Sequence, residues 1–241
     1  MIVLFTDFGL AGPYTGQMNA VLQQMAAGVP VVSLFADAPT GAPKPAAYLL
    51  AAYAAWFPVG SVFLCVVDPG VGTARRGIIV AAAGRYYVGP DNGLFELVQR
   101  RATAPSCWQI TWRPPAMSAS FHGRDLFAPV AARLARHEPP AAMGGAIAPP
   151  VYRDWPDDLA EIVYIDHYGN AMTGLRGQCV PESAQLAAGD NTIRHAPVFA
   201  AAPEGAPLWY VNSNGLVEIA VNRGRADRLL GLAVGSPIAI A

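Results

Sequence analysis

The chain has 241 residues, only 14% of them charged, and a formal net charge of −1; it is long enough for a real hydrophobic core in one large domain or two modest ones. That balance carries no electrostatic footprint for nucleic acid, and with a single lysine, Lys44, the arginine content reads as compositional bias and not as a basic patch. The three cysteines (Cys65, Cys107 and Cys179) include no CxxC pair, which argues against a disulfide framework or a thiolate zinc site and for a reducing compartment, the cytoplasm.

Ile2 to Phe8 reads as a strand directly after Met1, with no basic stretch before it, so no export signal is expected. Thr15 to Ala27 has helical spacing, with Met18, Val21, Leu22 and Met25 on one face and Gly28 as a stop. Val31 to Phe35 is the next strand, Ala46 to Phe57 a helix and Ser61 to Val67 a third strand. The uncharged stretch from Pro45 to Val67 is long enough to cross a bilayer, which takes ~20 apolar residues. Pro58-Val59-Gly60-Ser61 divides it, however, and the pattern predicts a buried helix followed by a buried strand, hence no membrane partner.

Gly77 to Ala83 and Tyr86 to Val88 suggest a hairpin around Gly84-Arg85, and Leu94 to Arg101 and Leu126 to His137 suggest helices. Apolar strands separated by helices predict an α/β N-terminal domain, residues 1–145, with a largely parallel sheet covered on both faces. Glu138 to Asp158 is rich in Pro, Ala and Gly and reads as a linker. Beyond it, Glu161 to Asp166, Leu208 to Asn212, Leu216 to Val221 and Ser236 to Ile240 are short strands between Gly and Asn turns. They predict an all-β domain at 159–241, a small barrel.

Several familiar motifs fail. Gly70-Val71-Gly72 has Arg75 where a dinucleotide turn needs its third glycine, and neither GxxxxGK[ST] nor GxSxG occurs. His122, His137, His167 and His195 lack zinc-ligand spacing, and no metal is expected, although a dispersed Asp7, Asp68 and His122 set is geometrically conceivable.

The surviving candidates lie at strand ends and turns. Asp68 closes the third strand and Arg75 follows seven residues later. At the carboxyl end of a strand in an open α/β sheet both face the ligand crevice, unless they merely pair at the surface. Asp7 follows the first strand, as a turn aspartate or as a carboxylate for a ribose diol. His122 precedes a helix, as a structural group or a site residue, and Gly89-Pro90-Asp91-Asn92-Gly93 is a turn signal first. Asp166 to Asn170 and Asn212 to Gly215 read as β-turns, or as the rim of an amino-acid or base site.

Taken in order, TDFG at 6–9, VVDPGVGTARR at 66–76, VGPDNGL at 88–94, FHGRDLFAP at 121–129, IDHYGN at 165–170 and NSNGLVEIAVNRG at 212–224 resemble a known family. This is the S-adenosyl-L-methionine (SAM) hydrolases that form adenosine, the SAM hydroxide adenosyltransferases, relatives of fluorinases and chlorinases. The resemblance spans nearly the whole chain. It implies an N-terminal α/β domain and a C-terminal β-barrel, a homotrimer with SAM held between subunits, and no cofactor. By position it assigns Asp68, Arg75 and His122 to the attacking water and Asp7 to the ribose. It places Asn170, Ser213, Glu218 and Val221 at the nucleoside, partly through main chain, and Asp166 and Asn214 at the methionine part. Asp68 would repel a halide, which argues against a halogenase. A non-catalytic SAM or adenosine sensor and a SAM-dependent methyltransferase are the other readings. Two departures stand out: Gly12 replaces an aspartate common in the family, and 36–40 lacks a histidine found there in many members, near Ala38.

Overall fold

The computed structural model describes residues 1–152 and 154–241, and the chain divides into two compact units, Met1–Tyr152 and Arg153–Ala241. The first unit runs β1 (Ile2–Thr6), α1 (Tyr14–Met25), β2 (Val31–Phe35), α2 (Pro43–Tyr53), β3 (Val62–Val66), β4 (Gly77–Ala82), β5 (Arg85–Pro90), α3 (Glu96–Arg100), β6 (Ser106–Ile110), α4 (Ala128–Ala135) and β7 (Gly144–Ile147). Its sheet has the order β2-β1-β3-β5-β4-β6-β7.

Every residue of β1 and β3 is buried, which is why these segments are apolar without alternation. Ile2, Leu4, Val62 and Leu64 pack against Met18 and Leu22 of α1 and Val130, Ala131 and Leu134 of α4. The alternate residues face the other layer, where Phe63 stacks on Tyr87, Tyr87 meets Phe95 just ahead of α3, and Phe35 meets Tyr53 of α2. β2 is an edge strand and is half open to solvent.

The largely parallel sheet expected from the sequence is not what forms: the sheet is mixed. β2, β1, β3 and β5 are parallel, whereas β4 pairs antiparallel with β5 and β6, and β6 antiparallel with β7. The cause is local. Only Ala83 and Gly84 separate β4 from β5, with φ of 48° and 73°, and a two-residue turn with both φ positive joins antiparallel strands alone. β7 also falls inside the stretch expected to be linker; its small residues pair with Cys107 to Ile110 of β6.

The second unit carries β8 (Leu159–Ile165), β9 (Ala171–Arg176), β10 (Gln185–Ala188), β11 (Asn191–His195), β12 (Pro207–Val211), β13 (Leu216–Val221), α5 (Ala226–Leu229) and β14 (Ala239–Ile240). Their order is β14-β10-β11-β12-β13-β9-β8, with β11 and β12 parallel and the other pairs antiparallel. The C-terminal segment pairs with β10 through β14 and returns to β8 through a Glu161–Pro237 bridge and an Ile238 N–H bond to the Ala160 carbonyl of 2.9 Å. The sheet therefore curls into a nearly closed barrel around Trp209, Ile162, Leu186 and Ile219.

Candidate active site

In the first unit the chain leaves β1 for β2 on one side and returns as β3 on the other. The carboxyl ends of β1 and β3 thus flank a topological switch point, where open α/β sheets form their ligand crevice. Thr6 and Val66 are partners in the β1–β3 ladder, so Asp7 and Asp68 emerge side by side.

Two tight turns then fold Arg75 back over Asp68. The Val71 N–H bonds the Asp68 carbonyl at 3.3 Å, and the Thr73 N–H bonds Gly70 at 3.2 Å. Thr73 Oγ1 donates to the Gly70 carbonyl at 2.7 Å and accepts the Arg75 N–H at 3.2 Å. Arg75 Nη2 then reaches Asp68 Oδ2 at 2.5 Å, with side-chain exposures of 9% and 4%. Arg75 Nη1 donates to the Arg76 carbonyl at 2.6 Å, and the guanidinium carbon lies 5.4 Å from the Phe127 ring centre, a cation–π arrangement. The neighbouring Arg76 is not part of this cluster: it pairs with Asp91 at 2.6 Å. Asn92 in the same turn donates to the Val67 carbonyl at 2.9 Å, pinning the end of β3.

His122 immediately precedes a π-helical turn, Gly123–Phe127, that leads into α4. Its Nδ1 stands 3.4 Å from Arg75 Nη2. A guanidinium only donates, so Nδ1 is the acceptor and the neutral ring carries its proton on Nε2. Burial, then the Arg75 charge, lowers the His122 pKa, so the neutral ring is the form present at neutral pH. Burial raises the pKa of Asp68, and the Arg75 charge opposes it. Asp68 Oδ1 and Arg75 Nε are buried with no hydrogen-bond partner among the described residues. A buried polar atom in that condition calls for an explanation, and a part in the chemistry of the site is one.

Asp7, Phe8, Gly41, Asp68, Phe121 and His122 line a cavity of about 190 Å³. Asp7 Oδ2 accepts the Gly41 N–H at 2.8 Å, and burial is the main cause of its raised pKa. A second cavity of about 400 Å³ lies along Arg75 and Arg113 and shares His122 with the first. Of the two departures, Gly12 adopts φ of 132° and Ala38 is buried, its N–H on the Thr6 carbonyl at 3.0 Å. No group of three or more His, Cys, Asp or Glu side chains among the described residues is arranged to hold a metal.

The remaining sequence candidates lie in the second unit, in two groups at opposite ends of β13. In the β8–β9 turn, Asp166 Oδ1 accepts the Asn170 N–H at 2.9 Å and Oδ2 accepts Asn170 Nδ2 at 3.0 Å. Arg225 Nη1 donates to the His167 carbonyl at 2.8 Å and pairs with Asp227 at 2.8 Å. Gly169 takes φ of 87°, and a Cβ there would lie 2.5 Å from Asp227 Oδ1. Gly169→Ala is expected to destabilise the protein by about 2 kcal/mol, since a left-handed backbone costs roughly 1–2 kcal/mol before any clash; urea unfolding measures it.

In the β12–β13 turn, Asn212 Oδ1 accepts the Asn214 and Leu216 N–H groups at 2.9 and 3.1 Å, and Ser213 Oγ accepts Asn214 Nδ2 at 3.4 Å. Glu218 is 3% exposed and takes hydrogen bonds from Tyr210 Oη and from Asn212 Nδ2, the latter at 2.8 Å. The Val221 side chain belongs to the barrel core, so any contact it makes with a ligand runs through its main chain. Sequence reasoning missed Phe127, Tyr210 and Asn92 as supports. A paired aromatic or amide opposite a strand-end carboxylate is a tertiary relation with no fixed spacing.

An α/β unit with a buried Asp–Arg pair and a half-buried His at its switch point, followed by a β-barrel unit bearing polar hairpin turns, defines the class. Residues 2–144 match the N-terminal domain and residues 160–239 the C-terminal domain of the SAM hydroxide adenosyltransferases, and the chain belongs to that family. A Thermus thermophilus protein named (R)-S-adenosyl-L-methionine hydrolase is 41% identical, over 98% of each chain. One of the same name from Salinispora arenicola is 38% identical over 98% of this chain and 95% of that one. The crystal structure of an uncharacterized conserved protein from Thermotoga maritima superposes with a TM-score of 0.91 at 29% identity, covering all of both chains.

Proposed function

We propose that this chain is an adenosine-forming SAM hydrolase. The observation that carries the reading is the buried Asp68–Arg75 pair with His122 beside it, on a cavity shared with Asp7, in a chain whose relatives are named as hydrolases of SAM.

The chemistry accounts for each group. Water donates a hydrogen bond to the Asp68 carboxylate and accepts one from the Nε2–H of neutral His122, which aims its oxygen at C5′. As the C5′–O bond forms and the C5′–S bond breaks, the bonding pair leaves with sulfur as the neutral thioether of L-methionine, and Asp68 takes the proton. Its raised pKa brings it nearer the pH of operation and makes it a better base. Arg75, permanently cationic, keeps Asp68 ionised despite burial and stabilises the developing hydroxide. Hydroxide and sulfonium attract each other more strongly where bulk water is excluded. The sulfonium is already an activated leaving group, so this scheme uses neither metal nor cofactor.

Asp7 holds the ribose in this reading, with Asn170, Ser213, Glu218 and the Val221 main chain at the nucleoside and Asp166 and Asn214 at the methionine part. SAM binds between the N-terminal unit of one subunit and the C-terminal unit of a neighbour in a homotrimer working in the cytoplasm. The three cysteines, none of them in a CxxC pair, suit that compartment.

The test is turnover of SAM in ¹⁸O-labelled water, read by mass spectrometry. Expected are adenosine labelled at its 5′ oxygen and an equal amount of methionine that keeps its methyl group. Tight binding of SAM without turnover would replace this reading with the sensor, halo-adenosine formed in halide with the halogenase, and methyl loss with the methyltransferase.

A further inference from the structure

Asn212 joins the β12–β13 turn to the buried carboxylate of Glu218. Its Oδ1 holds the backbone of Asn214 and Leu216 at 2.9 and 3.1 Å, while its Nδ2 donates to Glu218 Oε2 at 2.8 Å. Tyr210, directly across the β12–β13 ladder from Glu218, occupies the other carboxylate oxygen. The side chain of Glu218 leaves the barrel core, which takes Val217 and Ile219 on either side of it. A carboxylate buried this deeply needs both donors to stay ionised.

We propose that Asn212 is a positioning residue for substrate binding: it sets the Glu218 carboxylate and the Ser213–Asn214 turn in one fixed relation, so that three substrate contacts are aligned by a single amide. The proposal rests on the SAM hydrolase reading, in which Ser213, Asn214 and Glu218 touch the substrate. An amide is required because one end must accept two N–H groups while the other donates to a carboxylate. Neither Asp nor Ser provides both.

Asn212→Asp gives the sharpest test. The new carboxylate keeps the two accepted N–H bonds but faces Glu218 at about 3 Å, where the like charge raises the pKa of the pair, so that one proton is shared until the pH is high enough to remove it. The other ionisable groups facing Glu218 are Tyr210 from β12 and Asp166 from the β8–β9 turn, and both are unchanged in the variant. At pH 5.5 the shared proton restores the lost hydrogen bond, and the KM for SAM is expected within about twofold of the wild type. At pH 8.5 the proton leaves, and the KM is expected to rise about 10-fold relative to the wild type at the same pH, with kcat lowered by no more than about threefold. Asn212→Ala removes both functions and is expected to raise KM about 10-fold at either pH, its folding followed by circular dichroism. KM values within twofold of wild type for both variants at both pH values would overturn the proposal while leaving the hydrolase reading intact. Wild-type protein that does not hydrolyse SAM would overturn that reading instead. The same pH comparison is then made on adenosine affinity by calorimetry, where a pH-independent Asn212→Asp variant again overturns the positioning role.

Discussion

Asp68→Asn should lower kcat for SAM hydrolysis by about 10²–10⁴-fold, the usual weight of a general base, with a smaller change in KM. The substitution is nearly isosteric and leaves Arg75 with one acceptor, the amide oxygen. What it removes is the carboxylate charge, and with it the destination of the proton. The pH profile separates this role from a merely structural one. Because burial raises the Asp68 pKa above its ordinary 3.8, activity in the wild type should fall as pH drops toward that raised value, where the carboxylate becomes protonated. Because the His122 pKa is lowered, no fall is expected on going down through the ordinary imidazole range near 6.5. In Asp68→Asn the residual activity should lose the carboxylate limb. A variant with wild-type kcat, or one that keeps that limb, would remove Asp68 from the chemistry.

Arg75→Met combines the second large effect on activity with the largest on stability. Asp68 and Arg75 are almost fully buried against each other, and removing one partner of such a pair leaves an uncompensated charge, at a cost of about 3–5 kcal/mol. Asp68 escapes part of that cost by holding a proton, so its pKa rises further above the unfolded value. A carboxyl with a raised folded pKa binds more protons folded than unfolded, so stability declines as pH climbs from the unfolded pKa through the folded one. The deficit of Arg75→Met relative to wild type should therefore be smaller at pH 5 than at pH 8, which urea unfolding at the two values measures. Activity should fall by at least about 10²-fold, as for loss of a transition-state donor in a buried site. A deficit independent of pH would mean that Arg75 does not govern the ionisation of Asp68.

The contrast between the two units shows where local information ends. In the first unit the strand ends were legible because β1 and β3 are buried on both faces, so that Asp7 and Asp68 stand out as the first charged residues after apolar runs. Arg75 was legible by its spacing, seven residues after Asp68. In the antiparallel half the β4–β5 hairpin was legible, its turn falling at Ala83-Gly84 and not at Gly84-Arg85; the placement of β4 outside β5 was not, because it depends on pairing with β6 and of β6 with β7. β7 was hidden because Gly144, Gly145 and Ala146 have no strand propensity and are held by the ladder alone. In the second unit β9, β10 and β11 escaped notice, since short strands in a curling sheet are selected by their neighbours.

Read alone, the sequence determined the two-part organisation, the strand-end carboxylates and the resemblance that orders the motifs, because these depend on periodicity and on residues close together in the chain. Only the tertiary structure decided which oxygen of Asp68 pairs with Arg75, which nitrogen of His122 faces Arg75, and that Asn212 ties a turn to a buried glutamate. Those are relations between atoms set by packing across 47 residues for Arg75 and His122 and by the pairing of β12 with β13 for Asn212 and Glu218. Spacing in the chain leaves such contacts undetermined, because the hydrogen-bonding state of a buried group depends on everything that surrounds it.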